Sequence, residues 1–361
     1  MKRRWLCLLV ALCLIFPMTA CSGGGEGSTG SSMRSEELPA NAVGEPVPAE
    51  PEEDMVPNPL SGLPLDPEKV NNRPVAVMLN DLKAALPQLG VSKADIIYEV
   101  PAEGGITRML ALFQDLEGVG DLGSIRSTRT YYLELALGHD AILVHAGGSP
   151  EAYDKIPKWG VDHLDGVRGG RDAEVFWRDA ERRKRAGLEH SMLTSGENIL
   201  AYLGSSDLRL THEGQWENAL FLEDGTPQGG DPATQATVRF SNYKTGKFNY
   251  DPDRKLYLIS QFGEPYMDGE TGEQVGVTNV LILKTDVSLV SGDTAGRLSV
   301  DIQGDGDGVY LCGGKQVNIR WSKDARNEPF RYVIPGGGRL YLGAGHTYVC
   351  IVSSNSEITI Q

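Results

Sequence analysis

The stretch DAILVHAGGSPEAYDKIPKWG (140–160) decides how the first half of the chain folds. Ala141 to Val144 is a short apolar run of the kind that forms a buried strand, and His145 stands at its end. Gly147 and Gly148 then supply a turn. Ser149 is placed to cap a helix, and Pro150 falls at the first helical position, where its missing N–H costs nothing. Strand, glycine turn and helix make half of a βαβ unit, which predicts an α/β (α+β) N-terminal domain.

Upstream, STRTYYLELALG (127–138) has helical spacing, with Ser127 as the expected cap, Tyr132, Leu135 and Ala136 on one face, and Gly138 at the end. RPVAVMLN (73–80), ADIIYEV (94–100) and ITRMLALFQ (106–114) read as strands, the last two forming a hairpin around PAEGG. Downstream, residues 166–190 mix seven basic and five acidic side chains, as a solvated segment does, and SGENILAYLGSS (195–206) reads as a short helix capped by Ser195. From about residue 233 the texture changes to short alternating or apolar runs split by Gly, Asp and Asn. That pattern predicts a mostly antiparallel, β-rich C-terminal domain over 233–361, following an α/β domain over 58–225, with GDGDG (304–308) as a hairpin turn.

The N-terminus addresses the chain to a membrane surface. Residues 1–20 are a basic start followed by an apolar run too short to span a bilayer, then small residues before Cys21. Thr19-Ala20-Cys21 resembles a bacterial lipobox, with Met18 in place of the usual leucine. That resemblance implies cleavage before Cys21, a thioether-linked diacylglycerol (palmitate among its chains) on its sulfur, and a protein held on the outer face of the cytoplasmic membrane. Each buried acyl CH₂ contributes about 0.8 kcal/mol, so two chains anchor stably where one does not. Residues 21–57 are Gly/Ser-rich, then Pro/Glu-rich, and are read as a disordered tether. Without residues 1–20 the chain carries 31 basic and 49 acidic side chains, a net charge of −18. Such a balance excludes a nucleic-acid partner, which requires a basic stripe.

Cys312 and Cys350 remain in strand-like runs of the C-terminal part. A disulfide between them is one reading in this compartment, and two buried apolar thiols are the other. No cofactor or metal site is expected.

In so acidic a chain, GSIRSTRTYY (123–132) concentrates two arginines and three hydroxyls. The predicted helix places Arg126 just before its cap and Arg129 in its first turn, where the helix dipole is already positive. Arginines there raise a field that suits an incoming anion. Gly147, Gly148 and Ser149 open a second helix with the same free N–H groups, beside His145. Ligands of open α/β sheets bind outside the carboxyl ends of strands, so Arg126, Arg129, His145, Gly147, Gly148, Ser149 and His190 are the candidate ligand-binding residues. The alternative is that the arginines pair with surface acids and the glycines merely build a cap. His145, His190, Glu99 and Glu103 are the candidate acid–base groups, although no G-x-S-x-G elbow is present.

NPLSGLP, RPVAVMLND, SKADIIYEVPAEGGITRMLALFQ, GSIRSTRTYYLELALGHDAILVHAGGSPEAY and EHSMLTSG, with GDGDGVYLCGGKQVNIRWSK and GGGRLYLGAGHTYV, resemble the YerB-like bacterial lipoproteins over residues 58–361. Ser191 stands where that pattern has asparagine. The resemblance implies a two-part extracytoplasmic lipoprotein of unestablished function. A weaker similarity, LALFQ…GSIRSTR, is to the LytR-CpsA-Psr envelope transferases, but the aspartate beside their arginine is missing here.

These readings converge on a membrane-anchored protein binding an anionic cell-envelope ligand, such as a phosphate- or carboxylate-bearing glycan or a lipid-linked precursor. An envelope phosphotransferase or glycan hydrolase using the same pocket is one alternative. An assembly factor with protein partners is another.

Overall fold

Val75–Asn80, Thr107–Phe113 and Thr347–Ser353 expose almost nothing, as strands buried on both faces must. In the computed structural model, which describes residues 55–214, 216 and 221–361, they belong to one mixed sheet of eleven strands. The expected leader, Cys21 and the expected tether as far as residue 54 lie outside the described residues. The end of the expected tether is corrected, because Val56–Pro57 pairs antiparallel with Pro64–Leu65.

The sheet runs in the order Asp231–Pro232, Lys315–Lys323, Gly304–Cys312, Asn279–Thr285, Thr347–Ser353, Ile96–Pro101, Thr107–Phe113, Val75–Asn80, Ile142–His145 and His163–Asp165. Arg331–Val333 adds to Lys315–Lys323. Sequence from the two halves meets where Thr347–Ser353 runs parallel to Ile96–Pro101, with Cys350 opposite Glu99. Alternation along Thr347–Ser353 builds a core on each face. Tyr348, Cys350 and Val352 face one core, and Val349 and Ile351 face the other. Each such aliphatic side chain contributes roughly 1.5–3 kcal/mol on burial.

The expected mixed α/β part and antiparallel-rich β part are both present. Ile96–Pro101 and Thr107–Phe113 form the hairpin. Ile142–His145 leads through helix α2 (Pro150–Trp159) to a parallel partner, His163–Asp165, completing the βαβ unit. Ser149 Oγ accepts the Ala152 N–H at 3.1 Å, so the α2 cap is as expected. Ser195 likewise accepts from Asn198 at the start of a helix over Gly196–Leu203. A second sheet of six strands contains Gln235–Arg239, Thr245–Asp251, Leu256–Gln261 and Ile358–Ile360. The long C-terminal strands are not all antiparallel, since Asn279–Thr285 runs parallel to Thr347–Ser353.

Two expectations are corrected and one open alternative is decided. Helix α1 covers Thr130–Gly138 and starts after Arg129, not Ser127. The Ser127 hydroxyl donates to the Ala146 carbonyl at 3.0 Å instead, and the Thr128 N–H bonds the Gly147 carbonyl at 2.9 Å, extending the backbone through the would-be first turn. GDGDG is not a turn but the beginning of the strand Gly304–Cys312, with Asp305 and Asp307 paired to Arg320 across the ladder. The turn falls at Gly313 and Gly314, whose φ values of 58° and 74° require glycine. Finally, Cys312 and Cys350 are free, buried thiols. Strand Asn279–Thr285 lies between theirs, and the two side chains belong to cores on opposite faces of the sheet. Two strand spacings are roughly 10 Å, beyond the reach of a disulfide.

Candidate functional site

Arg126 is pinned at the backbone from two sides. Its N–H donates to the Met78 carbonyl at 3.0 Å, and its own carbonyl accepts the Ala146 N–H at 3.0 Å. Its side chain lines a cleft of about 390 Å³ together with Ile125, Val167, Arg178, Leu188 and Met192. Arg126 Nη1 donates to the Glu189 carbonyl at 3.0 Å and to its carboxylate at 3.2 Å, while the buried Nε–H finds no acceptor. Arg178 donates to the Leu188 carbonyl at 2.5 Å and reaches the Ser191 hydroxyl at 3.4 Å. It makes no ion pair among the described residues. The cleft therefore holds two guanidinium groups and one exposed carboxylate, that of Glu189.

The wall carrying Arg178 comes from the mixed-charge segment. Asp179 caps helix α3 (Ala180–Ala186), Gly187 ends it at φ 98°, and a single 3₁₀ turn, Leu188–His190, brings Glu189 over Arg126. Sequence reading took this segment for a solvated surface and missed Arg178. Charge composition alone does not separate Arg178 from the segment's five other arginines.

His190 sits behind the cleft, 6% exposed. Its Nδ1 lies 2.8 Å from Asn80 Nδ2, and Asn80 Oδ1 accepts the Leu82 N–H. With the amide so oriented, Nδ1 is the acceptor and the proton resides on Nε2, 3.5 Å from Glu189. Burial, helped by Arg126, pushes the His190 pKa below its ordinary value against the pull of Glu189. The ring is neutral at pH 7 and fixes the turn that carries Glu189.

The other expected site residues do not line this cleft. Arg129 turns to Glu103, with Nε 3.1 Å from Oε2 and Nη2 on Oε1. Arg108 Nη2 shares that carboxylate at 2.8 Å. Burial raises the Glu103 pKa, but the two guanidinium groups outweigh it and hold the carboxyl at about 2. Glu103 is thus a permanent anion rather than an acid–base group, and Arg129 is occupied.

His145 is completely buried. Its Nδ1 donates to the Gly147 carbonyl at 2.8 Å, and its Nε2 lies 2.9 Å from His163 Nδ1. Burial pushes its pKa down to about 4 despite Asp165 nearby. The glycine turn is also used internally, since Gly147 N–H donates to Asp165 at 2.9 Å and Ser149 N–H to Thr128 at 3.2 Å. Gly148 pairs with Thr128 in a single bridge.

Glu99 lies apart from both groups, in a buried cluster that sequence reading did not anticipate. Tyr348 OH donates to Glu99 Oε2 at 2.6 Å, and Lys244 Nζ sits 2.5 Å from Asp81 Oδ2 and 3.3 Å from Glu99 Oε1. Thr107 Oγ1 lies 2.8 Å from Asp81 and 2.7 Å from Glu99. A hydroxyl has one hydrogen, so Thr107 donates to one of the two carboxyl groups and accepts from the other, which must carry a proton of its own. Asp81 and Lys244 are 163 residues apart, and no local signal relates them. Among the described residues no group of three or more His, Cys, Asp or Glu side chains is arranged to hold a metal ion. No described helix is long and apolar enough to cross a membrane.

Two family models match the chain, described as the N-terminal domain (residues 60–209) and the C-terminal domain (residues 236–349) of a protein of unknown function, DUF3048. The chain belongs to this family. It is 31% identical over 307 residues to the Bacillus subtilis (strain 168) protein named "Putative lipoprotein YerB", covering 84% of this chain and 88% of that protein. The crystal structure of the YerB protein from Bacillus subtilis has the same fold, with a TM-score of 0.72 at 29% identity over 83% of this chain and 98% of that one.

Proposed function

We propose that this DUF3048 protein is a lipid-anchored binding protein on the outer face of the bacterial cytoplasmic membrane, and that the Arg126–Arg178 cleft takes an anionic group. Its ligand class is a phosphate- or carboxylate-bearing envelope glycan or lipid-linked precursor. The lipobox at Cys21 and the lipoprotein name of the Bacillus subtilis relative support the anchor.

One observation carries the ligand. Arg126 already holds a carboxylate, that of Glu189, whose side chain is 64% exposed and so easily displaced, while Arg178 beside it pairs with no acid among the described residues. An arriving oxyanion replaces Glu189, reaches both guanidinium groups and gives the Arg126 Nε–H its missing acceptor. Glu103 is locked to two arginines, and His145 and Glu99 are sealed in the core. That distribution supports binding rather than turnover at this cleft.

The test is a titration of the chain from residue 22 with polyglycerol phosphate and a polyprenyl phosphate at two salt concentrations. Saturable, salt-sensitive binding that Arg126→Ala/Arg178→Ala abolishes is expected. Unchanged affinity in that folded double variant overturns the assignment.

A further inference from the structure

Asp81, Glu99 and Lys244 form a charge cluster that the arginine cleft does not use. Asp81 follows the strand Val75–Asn80, Glu99 lies within Ile96–Pro101, and Lys244 precedes Thr245–Asp251 of the second sheet. Their side chains are at most 1% exposed. Lys244 Nζ sits 2.5 Å from Asp81 Oδ2 and 3.3 Å from Glu99 Oε1, with the Phe262 ring centroid 4.6 Å away. A carboxyl carbon lies about 1.2 Å beyond its oxygen, so Asp81 Cγ is no more than about 3.7 Å from Nζ, close to the roughly 3–3.5 Å of a reacting pair.

Three ionisable groups sealed from water are costly to keep as ions, and a buried ion pair often gains nothing over apolar side chains of similar volume. Asp81 is also poorly held as a carboxylate, since its buried Oδ1 has no hydrogen-bond partner among the described residues. Burial, with Glu99 beside it, raises the Asp81 carboxyl to about 7 against the pull of Lys244, so the acid form is populated at neutral pH. An amide forms from a neutral acid and a neutral amine, the states that burial favours. A dry site also removes the water that would reverse the reaction.

We propose that Asp81 and Lys244 join in an intramolecular amide, with Glu99 as the proton carrier. Glu99 takes one proton from the Lys244 ammonium, and the freed Nζ lone pair forms a bond to Cγ of protonated Asp81. Thr107 Oγ1, 2.7 Å from Glu99 Oε1 and 2.8 Å from Asp81 Oδ2, relays the Glu99 proton to that oxygen. The Cγ–Oδ2 bond breaks and Oδ2 leaves as water, while the surplus proton on nitrogen returns to Glu99. One ammonium, one carboxyl and one carboxylate become one amide, one water and one protonated Glu99. Nothing is oxidised or reduced, and no co-reactant is needed. Well-oriented groups in one molecule react as if at about 10⁵–10⁸ M.

The bond ties the end of a central strand to the second sheet, across 163 residues of sequence and across both family domains. It keeps the two sheets together after their noncovalent contacts open. Closure also consumes the Asp81 carboxyl, so the titration of that group belongs to the open cluster.

The test uses the chain from residue 38, since residues 38–361 form one compact unit holding every described contact. Its intact mass should be lower than that of its sequence by one water, about 18 Da. Trypsin does not cut after an acylated lysine, so it should release residues 70–83 joined to residues 240–247 as one branched peptide. Glu99→Gln, with an unchanged circular-dichroism spectrum, should have the full mass of its own sequence. Should that variant not fold, the wild-type mass and its branched peptide decide alone. Full sequence mass in the wild-type chain overturns the proposal. So does a water lost with residues 70–83 and 240–244 released separately, as when an Asp-Gly pair cyclises. A branched peptide in folded Glu99→Gln overturns the role given to Glu99.

Discussion

Arg126 meets Glu189 twice, at the carbonyl (3.0 Å) and at the carboxylate (3.2 Å), so the cleft's principal cation is closed by an acid of its own chain. Glu189 is 64% exposed, and exposed ion pairs contribute about 0–1 kcal/mol. Glu189→Ala is therefore expected to leave thermal stability nearly unchanged and to tighten binding of polyglycerol phosphate several-fold. Calorimetric titration of the two proteins checks this, and weaker binding in the variant counts against the displacement of Glu189 by ligand.

Arg108 and Arg129 depend on Glu103 in a different way, because both are largely buried. Removing the shared carboxylate leaves two like charges in a low dielectric. Glu103→Ala is expected to destabilise the fold by about 3 kcal/mol, measured by urea unfolding. The wild-type carboxyl, held at about 2 against 4.5 when unexposed to the arginines, contributes stability above roughly pH 4.5 that is lost as pH falls towards 2. The variant's stability should lack that dependence.

While its bond to Lys244 is open, Asp81 titrates in the opposite sense. Burial first of all, and Glu99 as well, raise its carboxyl from 3.8 to about 7 against the pull of Lys244. The native state keeps the proton between these two values while the unfolded chain loses it, so stability falls as pH rises from about 4 to 7 and is level above. Asp81→Asn leaves Lys244 with the single carboxylate of Glu99. It is expected to be more stable than the open wild-type chain at pH 8 by about 2–4 kcal/mol and to gain nothing at pH 4. Thermal melts across that range decide.

Cys312 and Cys350 should behave as inert thiols. Burial pushes the Cys312 thiol up to about 11 and raises that of Cys350 well above its ordinary value. Iodoacetamide should label neither in the native chain from residue 38 and both after unfolding. Reductant should leave the melting temperature unchanged. Loss of a thiol count on purification in air would contradict the strand order.

Much of the fold was legible because it is local. Valine-rich runs, the glycine turn at 147–148 and the caps at Ser149 and Ser195 each act within a few residues, and each is where the pattern placed it. Ser127 failed as a cap for a physical reason. Its hydroxyl and the following backbone found better partners in Ala146 and Gly147, on a strand end about twenty residues away. The candidate site was read only in part. Arg126 and Arg129 are three residues apart and look equivalent, yet one backbone is held between Met78 and Ala146 and faces the cleft, while the other's side chain is captured by Glu103.

The sequence by itself determined the strongly acidic balance and the strand-turn-helix unit, because these follow from composition and from spacings within one element. Tertiary structure alone decided which charges are spent and which are available. The parallel pairing of Thr347–Ser353 with Ile96–Pro101 closes Tyr348 on Glu99, while Lys244, from the turn between two strands of the second sheet, seals Asp81 beside it. A short turn after α3 delivers Glu189 to Arg126 and sets Arg178 alongside it. Long-range pairing fixes such contacts by burial and electrostatics between residues that no local pattern connects.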